Sequence, residues 1–338
     1  MKERPLVCIC VPTYNAAATV REMLMSVLAQ TYPNFVVHVS DNASTDDTIK
    51  VIEALADPRI IVHRNETNIG GEGNFNRCIE LAEGKYTAIF HADDLYEPEM
   101  VEKQVAFLDA HSDAGAVFTQ ATTIDAQGKA LGRIGQSPDG QTGVAYFDFR
   151  HLLQTLLLHH NFLVCPSVLV RTKIYQQHIV AWGSAAYRSS SDIDTWLRLA
   201  QYQPIALLDE PLMRYRISPA QFSERIRSRT ERTDFFLVMD DYLSRPAVRA
   251  LLDEADLRHY QWLLRHENVA CGMNLFAAER FAEARQRLRD TLNWDAVHAA
   301  RHTRRGKVTL AAALLLRLLW GSPSTARVVK ILKNLVWR

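Results

Sequence analysis

Two adjacent carboxylates follow a buried strand pattern in the first third of the chain. The apolar run 86–90, YTAIF, leads into His91-Ala92-Asp93-Asp94. Carboxylates at the end of a buried strand cost free energy unless a partner compensates their charge. Oxygen ligands of this kind select Mg²⁺ or Mn²⁺. Asp93 and Asp94 are therefore candidate ligands of a divalent cation that would neutralise a diphosphate, although a helix cap or a solvated turn is the usual fate of such a pair.

Polar residues also follow the three earlier strand patterns. The first strand ends in PTYN, residues 12–15, the second ends at Asp41, and the loop after the third contains Asn68 and Gly70. In an open parallel sheet, ligands bind beyond the carboxyl ends of the strands. Tyr14 could stack on a base there, and the Asp41 carboxylate could accept a hydrogen bond from a base N–H.

Strand and helix patterns alternate over the first 125 residues. Short apolar runs predict strands, and apolar residues at helical spacing predict helices between them. The predicted strands are 6–12, 35–40, 59–64, 86–92 and 114–125, and the predicted helices are 18–30, 44–56, 70–84 and 97–111. This order indicates βαβ units and a mostly parallel sheet.

The pattern changes after residue 125. Residues 126–145 are polar and read as a surface excursion, 204–218 as a pair of strands, and the chain is only helical from about 230 onward. Helices are also expected at 147–161 and 191–202, with a strand within 165–175. We therefore predict an α/β domain over 1–225 and a helical region over 226–338.

Composition favours a soluble globular protein in a reducing compartment. Of the 338 residues 48% are hydrophobic and 23% charged, and the five cysteines form no CxxC pair or zinc spacing. The N-terminal stretch does not fit a secretory signal. The most apolar window, 308–320, has thirteen residues including Arg317. A membrane-spanning helix needs about 20 apolar residues.

The last 38 residues are strongly basic. Residues 301–338 contain nine Lys or Arg and no Asp or Glu, so the rest of the +1 chain carries −8. Residues 323–338 place apolar side chains opposite basic ones, which is typical of a helix lying on an anionic membrane. Docking on the protein's own core is the alternative. We expect a peripheral protein at the inner face of the cell membrane, with no nucleic-acid partner.

Five stretches together resemble the bacterial family 2 glycosyltransferases. They are VCICVPTYN, VSDNASTDDT, ETNIG, FHADDLYEPEMVEKQ and SDIDTWLRLA, in this order, within about residues 5–220. The resemblance implies the GT-A fold, a Rossmann-like nucleotide-binding sheet with mostly parallel central strands, followed here by an all-helical C-terminal region. It also implies a metal-dependent, inverting transfer from a nucleotide-diphosphate sugar, with a UDP-sugar favoured, to a glycan or lipid-linked acceptor in cell-surface polysaccharide synthesis.

The resemblance also implies roles for individual residues. Asp192 would be the catalytic base, taking a proton from the acceptor hydroxyl. Asp94, with Asp93, would bind Mn²⁺ or Mg²⁺. The donor-binding residues would be Pro12, Thr13, Tyr14, Asn15, Asp41, Asn68, Gly70 and Asp93.

The chain departs from the family's usual pattern at four positions. His91 replaces an aspartate before the Asp93-Asp94 pair, Ser191 a glutamate before Asp192, Phe75 an arginine and Ser218 a histidine. Asn74 or Arg77 could replace that arginine, and Arg214, Arg216 and Arg225 could offset diphosphate charge. Two other functions stay open: a nucleotidyltransferase on a related sheet, and a non-catalytic protein that binds sugar nucleotides.

Overall fold

A computed structural model describes residues 4–138, 140, 142–217, 229–318, 326 and 329. The chain divides into two compact units. The first is Met1–Thr155 with Asn161–Ser218, and the second is Leu156–His160 with Pro219–Arg338. The predicted domain boundary after residue 225 lies outside the described residues and stays a prediction.

The first unit contains a ten-stranded mixed sheet. Along the main path the order is β3-β2-β1-β4-β9-β6-β10-β5, while β7 pairs with β6 and β8 with β10. Neighbours from β3 to β4 are parallel, as are β6 and β10, and β9 runs antiparallel between β4 and β6. The strands are β1 Val7–Thr13, β2 Phe35–Asp41, β3 Ile60–Arg64, β4 Tyr86–Ile89, β5 Leu95–Tyr96, β6 Ala116–Ile124, β7 Ala130–Ile134, β8 Val144–Phe147, β9 Leu169–Arg171 and β10 Ile205–Arg216.

Helices follow the strands as the apolar spacing predicts. In α1, Val20, Met23, Leu24 and Val27 are buried, which gives the helix one core-facing side. Residues 7–11 of β1 are wholly buried, as expected of a central parallel strand covered on both faces. The helices of the first unit are α1 Val20–Leu28, α2 Thr48–Glu53, α3 Gly70–Leu81, α4 Met100–Ala110, α5 Phe149–His159, α6 Thr172–Ile174 and α7 Ser191–Ala200, and the end of α5 belongs to the second unit.

Strand register brings the ends of the first four strands to one edge. Thr13 at the end of β1 lies opposite Asp41 at the end of β2, and Asp41 lies opposite Arg64 at the end of β3. The Phe90 N–H, just after β4, donates to the Cys10 carbonyl. The polar loops that follow these strands therefore meet at the same edge.

In residues 126–218 the structure adds strands to the predicted surface excursion, and the predicted strand pair at 204–218 is wrong. The segment 126–145 contains β7 and the first two residues of β8, and every residue of β7 is exposed, so no buried alternation marks it. Residues 205–216 form one strand instead of a pair, because β10 stays beside β6 through register shifts around Pro211. A proline within an apparently continuous strand indicates a turn unless a bulge accommodates it.

The second unit is helical over the residues described. Its buried core includes Val269, Phe276, Ala284, Ala313 and Leu316. No helix among the described residues is long and apolar enough to cross a membrane. Most of the amphipathic segment 323–338 lies outside the described residues. The helices are α8 Phe235–Ser244, α9 Pro246–Arg249, α10 Glu254–Ala277, α11 Phe281–Leu288, α12 Trp294–His302 and α13 Arg304–Leu318.

Candidate active site at the carboxyl ends of the strands

Asp94 is a fully buried carboxylate held by the end of β10. Its Oδ1 accepts a hydrogen bond of 2.8 Å from the Arg216 main-chain N–H, while its Oδ2 is buried without a hydrogen-bond partner among the described residues. Burial, followed by the charge of Asp93, raises the pKa of Asp94 well above its usual range. A cation next to Oδ2 would remove this cost.

The Arg216 side chain holds the Asp93-Asp94 turn in place through hydrogen bonds to three carbonyls and one carboxylate. Its Nε donates to the Asp93 carbonyl at 2.8 Å, its Nη1 to the carbonyls of Asp125 and Ala126, and its Nη2 to Glu22 at 2.8 Å. Only 6% of the residue is exposed. Arg216 is thus a structural clamp, and the expectation that it could offset diphosphate charge is not supported.

The other basic candidates give little support to that expectation. Arg214 donates to the Glu97 carboxylate at 2.7 Å and is half exposed. Ser218 and Arg225 lie outside the described residues.

His91 joins the two carboxylates. Ligand atoms of His91, Asp93 and Asp94 all lie within 4.8 Å of one another, and His91 Nδ1 is 3.8 Å from Asp94 Oδ2. The His91 Nε2 is buried without a partner among the described residues. Burial lowers the pKa of His91, which favours the neutral imidazole that a metal requires.

A divalent cation fits this set of donors. The unpartnered Asp94 Oδ2 is an oxygen ligand inside the protein, and a neutral imidazole suits Mn²⁺ alongside carboxylates. In the family pattern His91 stands for the loss of a third carboxylate, but the structure gives it the position of a possible metal ligand. A histidine three residues before Asp94 was the signal available to identify it as a possible ligand.

Asp41 is a second buried carboxylate at the same edge. It is 0% exposed, and its Oδ2 accepts from the Ser44 N–H at 3.1 Å and lies 3.9 Å from Arg64 Nε. Its Oδ1 is buried without a partner among the described residues. An oxygen left in this state can accept a hydrogen bond from a ligand N–H.

Asn42 positions the loop that contains Asn68 and Gly70. Its Nδ2 donates to Asn68 Oδ1 at 3.1 Å and to the Gly70 carbonyl at 3.0 Å, and its Oδ1 accepts from the Ile69 N–H at 2.9 Å. Gly70 has φ +79° and begins α3. Sequence reasoning missed Asn42, whose role depends on contacts about 27 residues away.

The turn after β1 contributes residues of two kinds. Tyr14 is 50% exposed and free to stack on a planar ligand. Asn15 instead fixes the loop after β2, since its Oδ1 accepts from the Thr45 N–H at 2.9 Å. Thr13 is buried, and its hydroxyl donates to the Ser40 carbonyl, while Pro12 is half buried in the strand.

The two residues expected to replace the missing arginine have other contacts. Asn74 is buried, donates to the Ser40 carbonyl at 2.9 Å and accepts from the Ser40 hydroxyl at 2.7 Å. Arg77 pairs with Glu80 at 2.8 Å. Phe75 packs between His91, at 5.8 Å between ring centroids, and Trp182 at 4.6 Å. An aromatic side chain, packed between two other rings, therefore occupies the position where family members usually carry an arginine.

Asp192 lies in the first turn of α7. Its Oδ1 accepts from the Ile193 N–H at 2.9 Å, and the Asn161 side chain forms a second hydrogen bond to the carboxylate. Burial raises the pKa of Asp192 to about 6, although both hydrogen bonds lower it. A carboxylate with such a pKa can accept a proton near neutral pH.

Ser191 is buried at the start of α7, where its hydroxyl binds main-chain carbonyls. Its hydroxyl donates to the carbonyls of Ser184 and Arg188, and a Cβ on Gly183 would lie 2.2 Å from Ser191 Cβ. Gly183 has φ +51° and allows this close approach.

The thiol of Cys165 is close enough to both Asp192 and Asp94 for their charges to act on it. After burial, the charges of Asp192 and Asp94 are the next causes that raise the pKa of this thiol. Both carboxylates therefore lie near the same sulfur, which puts the candidate base and the candidate metal ligand in one region of the sheet edge.

Comparison with known proteins agrees with this arrangement. The sequence model of the family described as Glycosyl transferase family 2 matches residues 8–179. The putative teichuronic acid biosynthesis glycosyltransferase TuaG of Bacillus subtilis is 28% identical over 217 residues, which cover 63% of this chain and 80% of TuaG.

Two solved structures share the fold. S. aureus TarS in complex with UDP has a TM-score of 0.53 at 18% identity, and the match covers 87% of this chain and 90% of the TarS chain. The mannosyltransferase PcManGT from Pyrobaculum calidifontis, in complex with GDP-Man and Mn²⁺, has a TM-score of 0.54 at 18% identity. The match covers 99% of this chain and 86% of the PcManGT chain. The predicted fold class, a GT-A sheet followed by a helical region, is confirmed.

We predict that Arg216→Met lowers the free energy of unfolding by about 3 kcal/mol, because it leaves buried carbonyls without donors and removes a buried cation. Arg214→Gln, two residues earlier on β10, removes only an exposed ion pair and should cost no more than about 1 kcal/mol. Urea unfolding followed by circular dichroism measures both. Equal losses for the two variants would contradict the structural role of Arg216.

We predict that the metal-free protein binds Mn²⁺ and that Asp94→Asn and His91→Ala each weaken binding about tenfold or more. Loss of the free Mn²⁺ signal in electron paramagnetic resonance measures the affinity. Electron spin-echo modulation should show ¹⁴N coupling that His91→Ala removes. Glu97→Gln, an acidic residue three positions beyond Asp94, serves as the control and should leave the affinity unchanged.

Proposed function

The chain belongs to glycosyl transferase family 2, and we propose on this basis that it transfers a sugar from a nucleotide-diphosphate sugar to a hydroxyl of a glycan or lipid-linked acceptor, with inversion at the anomeric carbon. One observation carries the proposal. Two buried carboxylates, Asp41 and Asp94, each keep an oxygen without a hydrogen-bond partner among the described residues, and both lie at the same edge of the sheet.

The Asp41 end of this edge suits the nucleoside. Asp41 Oδ1 would accept a base N–H, Tyr14 would stack on the base, and the Asn68–Gly70 loop, fixed by Asn42, would close beside it. Pro12, Thr13 and Asn15 would act mainly by holding this turn in place. We favour a UDP-sugar, since an aspartate oxygen matches the N–H of uracil and TarS binds UDP.

The Asp94 end suits the diphosphate. Asp94 and Asp93, joined by His91, would hold Mn²⁺ or Mg²⁺. Such a cation would supply positive charge that stabilises the leaving diphosphate. PcManGT, whose fold this chain shares, was solved with Mn²⁺. Asp93 would in addition lie near the ribose.

Asp192 would act as the base. Its carboxylate would take the proton of the acceptor hydroxyl while the acceptor oxygen bonds to the anomeric carbon and the bond to the diphosphate oxygen breaks. A single displacement inverts the configuration and needs no covalent intermediate. Burial raises the pKa of Asp192 to about 6, so the group is ionised at neutral pH and more basic than an exposed aspartate.

We further propose a role in cell-surface polysaccharide synthesis at the cytoplasmic face of the cell membrane. The name of TuaG supports the pathway class. The nine basic and no acidic residues of 301–338 support attachment to an anionic surface.

We also propose that the domain boundary lies at 225/226, because the sequence shows no strand patterns beyond about residue 230.

We predict that the protein hydrolyses or transfers from at least one member of a panel of UDP-, GDP- and dTDP-sugars, and only when Mn²⁺ or Mg²⁺ is present. Asp192→Asn should lower turnover about 10³-fold or more while nucleotide affinity stays within about threefold. Asp194→Asn, two residues further along α7 and paired with Arg198, is the matched control. Full activity of Asp192→Asn would refute the assigned base.

We predict a pH dependence with one acidic limb. Below about pH 6 the Asp192 carboxyl becomes protonated, so kcat/KM should fall tenfold for each pH unit. Asn161→Ala removes a hydrogen bond that lowers the pKa of Asp192, and the midpoint should therefore move upward by about half a pH unit or more. A midpoint that is the same in both proteins would show that another group controls the limb.

A further inference from the structure

We infer that the helical unit contains a second ligand site, a cavity that binds the phosphate or diphosphate group of an amphiphilic ester. The cavity has a volume of about 360 Å³. Its walls come from α10, α12, the start of α13 and the end of α5, all within the second unit. None of the residues assigned to the donor, the metal or the base in the proposed transfer reaction lines it.

The charge of the lining is one-sided. Arg265, Arg304 and Arg305 line the cavity together with His159 and His259, and the described residues that line it include no Asp or Glu. Among the described residues no carboxylate forms an ion pair with Arg304 or Arg305. A concave surface that concentrates guanidinium groups in this way attracts anions.

Arg265 is the buried member of the set. Only 10% of its side chain is exposed, and its Nη2 donates to Asp295 Oδ2 at 3.2 Å. Its Nη1 is buried with no acceptor among the described residues, and so is Nε1 of Trp262, one helical turn earlier on the same face of α10. Two buried donors without acceptors are costly, and an anion with several oxygens would satisfy them.

Arg304 and Arg305 form the first turn of α13. The Thr303 hydroxyl accepts from the Gly306 N–H at 2.8 Å and caps the helix there. The positive end of a 15-residue helix therefore faces the cavity together with two guanidinium groups. A Cβ on Gly306 would lie 2.3 Å from the Ala299 carbonyl oxygen, so this glycine fixes the helix start close to α12.

The remaining lining identifies the class of ligand. Leu158, Leu263 and Leu310 line the cavity as well, so apolar side chains contribute to its walls beside the cations. A small inorganic anion would leave these apolar side chains without a partner, whereas a phosphate ester with a hydrocarbon group would contact both them and the cations. Guanidinium groups bind phosphate oxygens in pairs, which makes phosphate a better match than a carboxylate.

The test uses the full-length protein without divalent cations, so that the sheet-edge site contributes little. Calorimetry with inorganic pyrophosphate reports the free phosphate group. Sedimentation with phosphatidylcholine vesicles that contain phosphatidic acid reports the lipid-borne group, and phosphatidylserine at equal charge is the comparison. Arg304→Gln with Arg305→Gln removes two exposed lining cations. Arg258→Gln with Arg301→Gln removes two exposed cations outside the cavity lining and is the matched control.

We expect the cavity pair to weaken binding about tenfold or more and the control pair to leave it within about twofold. Arg265→Lys, which keeps the charge but loses the paired donors, should weaken it about threefold without changing the melting temperature by more than the control does. Loss of the preference for phosphatidic acid in the cavity pair would support the amphiphilic phosphate ester, whereas loss of pyrophosphate binding alone would show a site for free phosphate and would overturn the ester. Equal effects of both pairs, or no binding in either assay, would overturn the proposal.

Discussion

The contact between Arg216 and the Asp93-Asp94 turn is the constraint on which the candidate site depends. It joins the last residue of β10 to a turn 122 positions earlier, so the carboxylates are placed only after the sheet has closed. Contacts so distant in sequence carry a loop-closure cost that the buried strands around them must offset. The sheet thus determines where the buried Asp94 carboxyl and its half-buried neighbour Asp93 lie.

Around this contact, amide side chains fix the loops. Asn15, Asn42 and Asn74 each hydrogen-bond to the main chain of a neighbouring loop or strand end. Asn15 accepts from a main-chain N–H, while Asn42 and Asn74 donate to main-chain carbonyls. Tyr14, in contrast, remains exposed. At this edge of the sheet the loops are held by hydrogen bonds, and within the described part of the chain a few side chains keep polar atoms free for a ligand. Such an ordered arrangement keeps the entropy cost of ligand binding low.

Much of this could be predicted from the sequence because the relevant signals are local. The strand ends containing Asp41 and Asp94 follow strongly apolar runs, and alternating strands and helices specify a parallel sheet. The exposed strand β7 has no buried face, and Pro211 hides the continuity of β10, so pattern reasoning failed at both. The roles of Arg216, Asn42 and Asn161 arise from long-range contacts, which no local pattern contains. His91 can be recognised from the sequence as a possible metal ligand because imidazole binds divalent metals. The family pattern indicates only the aspartate that His91 replaces.

The manner in which Asp94 is held has a consequence for how the chain can vary. The bond to Oδ1 comes from the peptide N–H of residue 216, not from the arginine side chain. Substitution by any amino acid that retains this N–H keeps that bond available, whereas proline alone lacks it. Position 216 therefore carries two separable requirements: a backbone that tolerates nineteen residue types, and a side chain for which guanidinium is the only group with enough donors to reach three carbonyls and a carboxylate.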